Sequence, residues 1–399
     1  MSNSAVPYPK SNNNLRSTIK HVNGLLFIAV LFFVLRPGCP AEAQNATNKH
    51  DVEQPSESTE GPAEGKKDRE ESPTLLTFFA NKASLSGLLE INYEFADVSD
   101  TGDKHSGSSS DLFLNSVELA LRVLFNKWSK AEVVVNAEDI GKGRDGKISL
   151  DKAIVTLECP WAPLYLTVGK TDLPFGVFED HMISGTLTED LYEINDLGAT
   201  LGFEPDLLEL DMSVTVYKGN DIIDNLENFG TFEPRSGRDR ENKVDSFIAN
   251  ISIEPVEDKL AFSAFYENEP GARRRNQSIG GAVTANIWKF VLDGEYIGAL
   301  KREKGEDGEE NKESAWFVAL ACRPIKTFEV AARLEVFDDG RKGNQDEVLR
   351  HRYLAGFNYA FSDFAVFSFE YRHSRYEKER GSEAVDRQNE FQVQLALRF

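Results

Sequence analysis

Residues 328–336 read Phe328-Glu329-Val330-Ala331-Ala332-Arg333-Leu334-Glu335-Val336. Phe328, Val330, Ala332, Leu334 and Val336 form one series, and Glu329, Ala331, Arg333 and Glu335 the other. Successive side chains of a strand point to opposite faces, so this stretch is a strand with one apolar and one polar face. The same period runs through Leu89, Ile91, Tyr93 and Phe95 against Glu90, Asn92 and Glu94. It recurs in the last residues, where Phe391, Val393, Leu395, Leu397 and Phe399 interleave with Gln392, Gln394, Ala396 and Arg398. Residues 114–125 also fit a helix, with Glu118 and Arg122 four apart and Leu114, Val117, Leu121 and Leu124 on one side. Strand is preferred there because most other segments lack a 3.6 period and carry β-branched and aromatic residues.

Working outward, the period predicts sixteen strands: 85–95, 112–125, 128–138, 150–158, 163–169, 196–203, 207–217, 243–253, 258–267, 276–287, 288–297, 313–322, 327–337, 350–361, 364–375 and 389–399. Short turns such as Asn126-Lys127, Glu204-Pro205-Asp206 and Ser362-Asp363 follow the even strands, and Pro and Asx residues suit tight reversals. Long polar loops follow the odd ones: 96–111, 139–149, 170–195, 218–242, 268–275, 298–312, 338–349 and 376–388. A soluble sandwich has no reason to sort connections by parity, whereas an outer-membrane barrel does. The expected fold is all-β: a transmembrane antiparallel β-barrel of about 16 strands with short periplasmic turns and long extracellular loops. The apolar series carries no charge in mid-strand, where Lys or Arg facing lipid costs roughly 2–4 kcal/mol. Trp128, Trp161 and Trp288 all fall at short turns, the place of an interfacial aromatic girdle.

Charge and cysteine content narrow the function classes. Lys+Arg number 45 against Asp+Glu 66 for a net charge of −21, which repels a phosphate backbone and excludes a basic nucleic-acid binder. Three cysteines cannot build a disulfide framework. Residues 1–43 have the build of a secretory signal: Lys10, Arg16 and Lys20, the apolar run Leu25–Leu35, then Ala41-Glu42-Ala43. Residues 44–82 form an acidic tether, expected disordered and periplasmic, because so few apolar side chains cannot offset ordering entropy. Residues 83–399 form the barrel.

The alternating end at Phe399 resembles the C-terminal strand of bacterial outer-membrane barrels, whose terminal Phe is read by the assembly machinery. Val168-Gly169-Lys170-Thr171-Asp172-Leu173-Pro174-Phe175-Gly176, followed by His181-Met182-Ile183-Ser184-Gly185-Thr186-Leu187-Thr188, resembles the corresponding stretch of the LbtU-type siderophore porins. That resemblance covers most of 83–399. It implies a barrel in the outer membrane of a Gram-negative bacterium, in contact with outer-membrane lipid and associated with ferric-siderophore uptake. The helical segment those porins often carry before the barrel is replaced here by the acidic tether.

A sixteen-strand barrel encloses an aqueous channel rather than a core filled by side chains. Passive diffusion follows, with selectivity set by width and charged rings. Expected pore-lining residues are Glu118, Arg122, Glu132, Asp293, Glu295, Glu329, Arg333, Glu335, Glu370 and Arg372; Glu90, Glu94, Glu209, Asp211, Lys130, Lys152, Lys289 and Arg352 also fall in the polar series. Carboxylates outnumber bases, which favours cations. Loop 170–195 carries Asp172, Glu179, Asp180, His181, Glu189, Asp190 and Glu193. It is either a constriction folded into the lumen or a solvated surface loop. An acidic neck fits a negatively charged ferric siderophore poorly.

No enzyme, cofactor or metal site is expected. Gly141–Lys147 looks like a dinucleotide loop but precedes a strand, and that loop needs a helix N-terminus. HExxH, GxSxG and paired CxxC motifs do not occur. Cys159 and Cys322 fall eight strands apart and are expected unbridged, since bridged Cα atoms lie within about 7 Å. The expectation is a porin passing small solutes, a homo-oligomer being compatible with it. A general cation-preferring porin and a non-conducting surface barrel that binds a partner are the alternatives.

Overall fold

The computed structural model describes residues 82–100, 107–142, 146–179, 181–205, 207–219, 221–232, 243–271, 274–305, 308–341, 348–377 and 385–399. The expected signal segment, the tether up to residue 81, and Asp180 lie outside the described residues. The strands are β1 (Ala83–Asp100), β2 (Gly107–Asn126), β3 (Ser129–Ile140), β4 (Lys147–Glu158), β5 (Leu164–Asp172), β6 (Asn195–Phe203), β7 (Asp211–Lys218) and β8 (Val244–Val256). They continue with β9 (Leu260–Glu269), β10 (Asn276–Ile287), β11 (Phe290–Lys301), β12 (Ser314–Ile325), β13 (Phe328–Asp338), β14 (Leu349–Ser362), β15 (Ala365–Tyr376) and β16 (Val385–Arg398). Each pairs antiparallel with its chain neighbours, and β1 pairs with β16, so the sheet is a closed sixteen-strand barrel.

Closure satisfies every strand edge, the one arrangement in which a sheet has no unpaired row of N–H and C=O groups. At the seam Leu89 faces Leu397 and Tyr93 faces Val393. Phe399 extends the ladder by exchanging bonds of 3.0 and 3.1 Å with Gly87. Its ring lies across Gly87, where a Cβ would overlap it.

Alternation sets which face each residue takes. Leu119, Val135, Val214, Leu292, Val318 and Leu320 stand exposed on the outer wall. Their neighbours in sequence turn inward, among them Asn136, Thr215, Asp293 and Ala319, all buried. Trp128, Trp161 and Trp288 are exposed at the short-turn end, and Tyr296 pairs with Trp316 toward the opposite rim. Cys159 and Cys322 are free thiols.

Several boundaries differ from the sequence reading. β1 and β2 run on past 95 and 112, with pairing sustained to Val98 opposite Gly107, so that long loop is mostly ladder. β7 starts at Asp211 rather than 207, because Leu208 and Glu209 adopt φ of 55° and 46°, which no strand accommodates. Glu209 therefore sits in a turn rather than in the inward series. Lys289 also lies in a turn, with its ammonium donating to the Pro324 carbonyl at 2.6 Å.

The largest difference is inside the barrel. Part of the lumen is filled by an apolar core instead of water. Two helices, α1 (Leu187–Tyr192) in the β5–β6 connection and α2 (Asp221–Asn228) in the β7–β8 connection, supply Leu187, Leu191, Ile222, Ile223 and Leu226 to it. Inward side chains of the wall meet them: Ile248, Phe265, Ile297, Ala315 and Phe337.

Candidate functional site

The connection 173–194 leaves β5 at Gly169-Lys170-Thr171-Asp172. Gly169 has φ of 139°, and the Ala153 carbonyl abuts it so closely that any Cβ would collide. The chain then turns into the lumen and forms α1, opened by a capping box: Thr186 Oγ accepts from the Glu189 amide at 3.1 Å, and Glu189 accepts from the Thr186 amide at 3.0 Å.

A backbone turned inward must find partners for its N–H and C=O groups, and the wall supplies them. Glu295 on β11 accepts the Val177 amide at 2.7 Å and the Thr188 hydroxyl at 2.6 Å. Glu370 on β15 accepts the Ile183 and Ser184 amides at 2.8 and 2.9 Å. Glu335 on β13 accepts the Leu187 amide at 3.0 Å. Arg333 donates to the Ser184 and Gly185 carbonyls, both at 2.8 Å. His181 is gripped on both ring nitrogens, by Asp293 at 2.8 Å and Glu329 at 3.1 Å. Hydrogen bonds to these two carboxylates, Asp293 first, push its pKa up to about 9 against the opposing effect of burial. The ring is therefore an imidazolium at neutral pH.

The strapped connection divides the lumen. Asp293, Glu295, Glu329, Arg333, Glu335 and Glu370 lie beneath it, all on the inner wall, with Glu335 fully buried. Glu118, Arg122 and Glu132 line a free cavity of about 370 Å³ between β1–β5, together with Asp151, Lys152 and Asp172. Within it Arg122 pairs with Glu132 at 3.1 Å and Lys152 with the same carboxylate at 3.5 Å. Arg372 borders a second cavity of about 470 Å³, further along β1 toward the long-loop end, shared with Asn92, Glu94, Asp190, Arg352 and Glu390. The lower cavity carries four carboxylates against two bases; the upper carries ion pairs of Lys142 with Glu94 at 3.2 Å and Arg372 with Glu390 at 2.6 Å.

The remaining loop candidates are spread over this partition. Asp172 and Glu179 are exposed, and Asp190 reaches Arg352 at 3.4 Å. Glu189 is spent on the helix cap, where burial raises its pKa. Glu193 is half-buried; burial first, then Asp172, Glu189, Asp151 and Asp190, push its carboxyl up to about 7. Sequence reasoning missed the wall's role as a dock. Two signals mark it: Thr186-Leu187-Thr188-Glu189 has capping-box spacing, and Ala315–Cys322 on β12 is apolar on both faces. A strand facing lipid on one side and water on the other would alternate.

The barrel is similar to those of solved porins. The outer membrane channel DcaP of Acinetobacter baumannii superposes with a TM-score of 0.59 at 12% identity, over 79% of this chain and 97% of that one. A Pseudomonas putida OprB structure gives 0.58 at 8% identity over 81% and 96%. An anion-selective porin from Comamonas acidovorans gives 0.57 at 12% identity over 79% and 99%. The chain has a porin fold. No protein-family model matches the chain, and no curated protein does.

Proposed function

We propose that this chain is a porin of a Gram-negative outer membrane, passing small hydrophilic solutes by diffusion. The observation that carries the reading is the division of the barrel: an exposed apolar outer wall, and inside it a charged cavity beside β1–β5 that the inserted connection leaves unfilled. Residues 1–43 direct export and are removed, 44–82 tether the barrel on the periplasmic side, and 83–399 insert with the short turns facing the periplasm. The terminal Phe399 serves the assembly machinery. The surplus of carboxylates in the lower cavity gives the passage a preference for cations.

Ferric-siderophore passage is the finer step the LbtU-type resemblance implies. Its support is that the resembling stretch, 168–188, forms the end of β5 and the inserted connection. Planar-bilayer recording of the purified chain tests the main reading, with stepwise conductance and a reversal potential on the cation side expected. A silent membrane refutes the pore. Normal growth of a deletion strain under iron limitation refutes the siderophore step alone.

A further inference from the structure

On the outer wall, β14–β16 carry charge near their long-loop ends. The register puts His351 opposite Arg375, and Arg375 opposite Arg387, in one rung across three strands. Arg352 and Glu390 on the same strands line the upper cavity, so by alternation the rung faces outward. All three residues are exposed, the Arg387 side chain by 57%. His351 and Phe361 stand ten residues apart on the same face of β14. At about 3.4 Å per residue and a tilt of about 40°, that is a climb of about 26 Å, the height of the apolar band. The basic rung therefore stands where hydrocarbon gives way to headgroups.

The chain has a net charge of −21, yet little of it is spent here. Asp386 reaches Arg387 only at 3.7 Å, and Asp97 stands one rung lower, opposite Asn389. Among the described residues no carboxylate meets Arg375. Its Nε donates to His373 Nε2 at 3.4 Å, and its guanidinium lies 6.0 Å from the Tyr353 ring centre. His373 is steadied in turn by Asn389 at 2.8 Å, which also accepts the Tyr371 hydroxyl at 2.9 Å. The outer nitrogens of the Arg375 fork are left facing away from the wall, without a protein acceptor among the described residues. Like charges directly opposite in a ladder destabilise it, so Arg375 beside Arg387 calls for an anion from outside the chain. Below the rung the same face turns aromatic. Tyr371 and Phe391 lie 4.9 Å apart, Phe369 and Phe391 6.4 Å, and Phe357 and Phe369 5.7 Å.

We infer that this sector binds a lipid by a phosphate on its headgroup, held between Arg375 and Arg387, with the acyl chains laid on the aromatic face. Arginine forks match phosphate oxygens two at a time. Opposite residues on neighbouring strands are about 5 Å apart, so one phosphate reaches both. A free phosphate would use the rung and leave the aromatic face idle. The inference rests on the outward facing of these strands and not on the pore.

The test titrates the full chain, in a neutral detergent, with diphosphorylated lipid A and with its dephosphorylated counterpart. Native mass spectrometry counts the bound lipid. The phosphorylated lipid binds more tightly by about tenfold or more, and inorganic phosphate in about a hundredfold excess does not displace it. Arg375→Gln and Arg387→Gln each lower its affinity about tenfold, the loss expected for one charged hydrogen bond. Lys326→Gln, in the exposed turn at the other end of the barrel, leaves it unchanged. Should the arginine variants fail to fold, His351→Gln lowers affinity about threefold through the same rung. Equal binding of the two lipids, an equal loss in Lys326→Gln, or unchanged affinity in whichever rung variant folds overturns the inference. Displacement by inorganic phosphate overturns the lipid and leaves a free-anion site. Conductance without lipid binding leaves the pore standing, and lipid binding across a silent bilayer removes only the pore.

Discussion

Replacing His181 by Gln should loosen the inserted connection without unfolding the barrel. The ring is 9% exposed and faces Asp293 from β11 and Glu329 from β13, with Arg323 and Asn358 also on Glu329 and Thr284 on Asp293. Its pKa rises from 6.5 to about 9 on docking. At about 1.36 kcal/mol per pH unit between those values, the protonated ring contributes roughly 3 kcal/mol to holding the segment. Because docking raises the pKa, this contribution is complete below pH 6.5 and is lost as pH climbs through about 9. Gln keeps polar contacts but no charge, leaving two carboxylates face to face. The expected result at pH 7 is amide exchange at Ile183 and Ser184 faster by about two orders of magnitude, since every 1.4 kcal/mol is tenfold. Hydrogen–deuterium exchange with mass spectrometry reads this directly. In the wild type, protection of the same amides falls between pH 7 and 10 once intrinsic base catalysis is divided out; in His181→Gln it does not. Equal protection in both proteins at pH 7 would refute the latch.

Leu320→Arg places a guanidinium on the outer wall in mid-strand and should cost roughly 2–4 kcal/mol; denaturant titration of the lipid-embedded barrel measures it, and a change below about 0.5 kcal/mol contradicts the outer-wall assignment. Gly169→Val should abolish the folded, heat-modifiable gel band, because φ of 139° and the Ala153 carbonyl leave no room for a side chain; a normal band counts against the turn. Glu193, with its carboxyl near 7, gains a proton as pH falls through that value. The cation-to-anion permeability ratio should therefore drop from pH 8 to pH 6 in the wild type, and Glu193→Gln should flatten that step; an identical slope in the variant excludes Glu193 as its source.

The barrel was legible because its determinants are local. A two-residue period, turn residues and the parity of loop lengths need no knowledge of distant contacts, and all sixteen strands follow from them. Errors fell where the backbone breaks the pattern without a marker in composition, as at Leu208 and Glu209. The interior was harder to read. Asp293, Glu329, Glu335 and Glu370 carry the same alternation as Glu118 and Glu132, yet the first four hold a connection more than a hundred residues away in sequence. Period alone cannot distinguish an inward carboxylate facing water from one capping a loop amide. The apolar inward series Ala315, Phe317, Ala319 and Ala321 could have made the distinction, since such a face has no use in a water-filled channel.

A membrane-spanning barrel requires that the two faces of each strand meet different media. Spin labels placed one at a time at positions 117–122 of β2 in lipid vesicles measure this through collision with oxygen and with a water-soluble nickel chelate. Labels at 119 and 121 should collide with oxygen and escape nickel, and those at 118, 120 and 122 should do the reverse. Uniform access to nickel, or accessibility with a helical period, would contradict it.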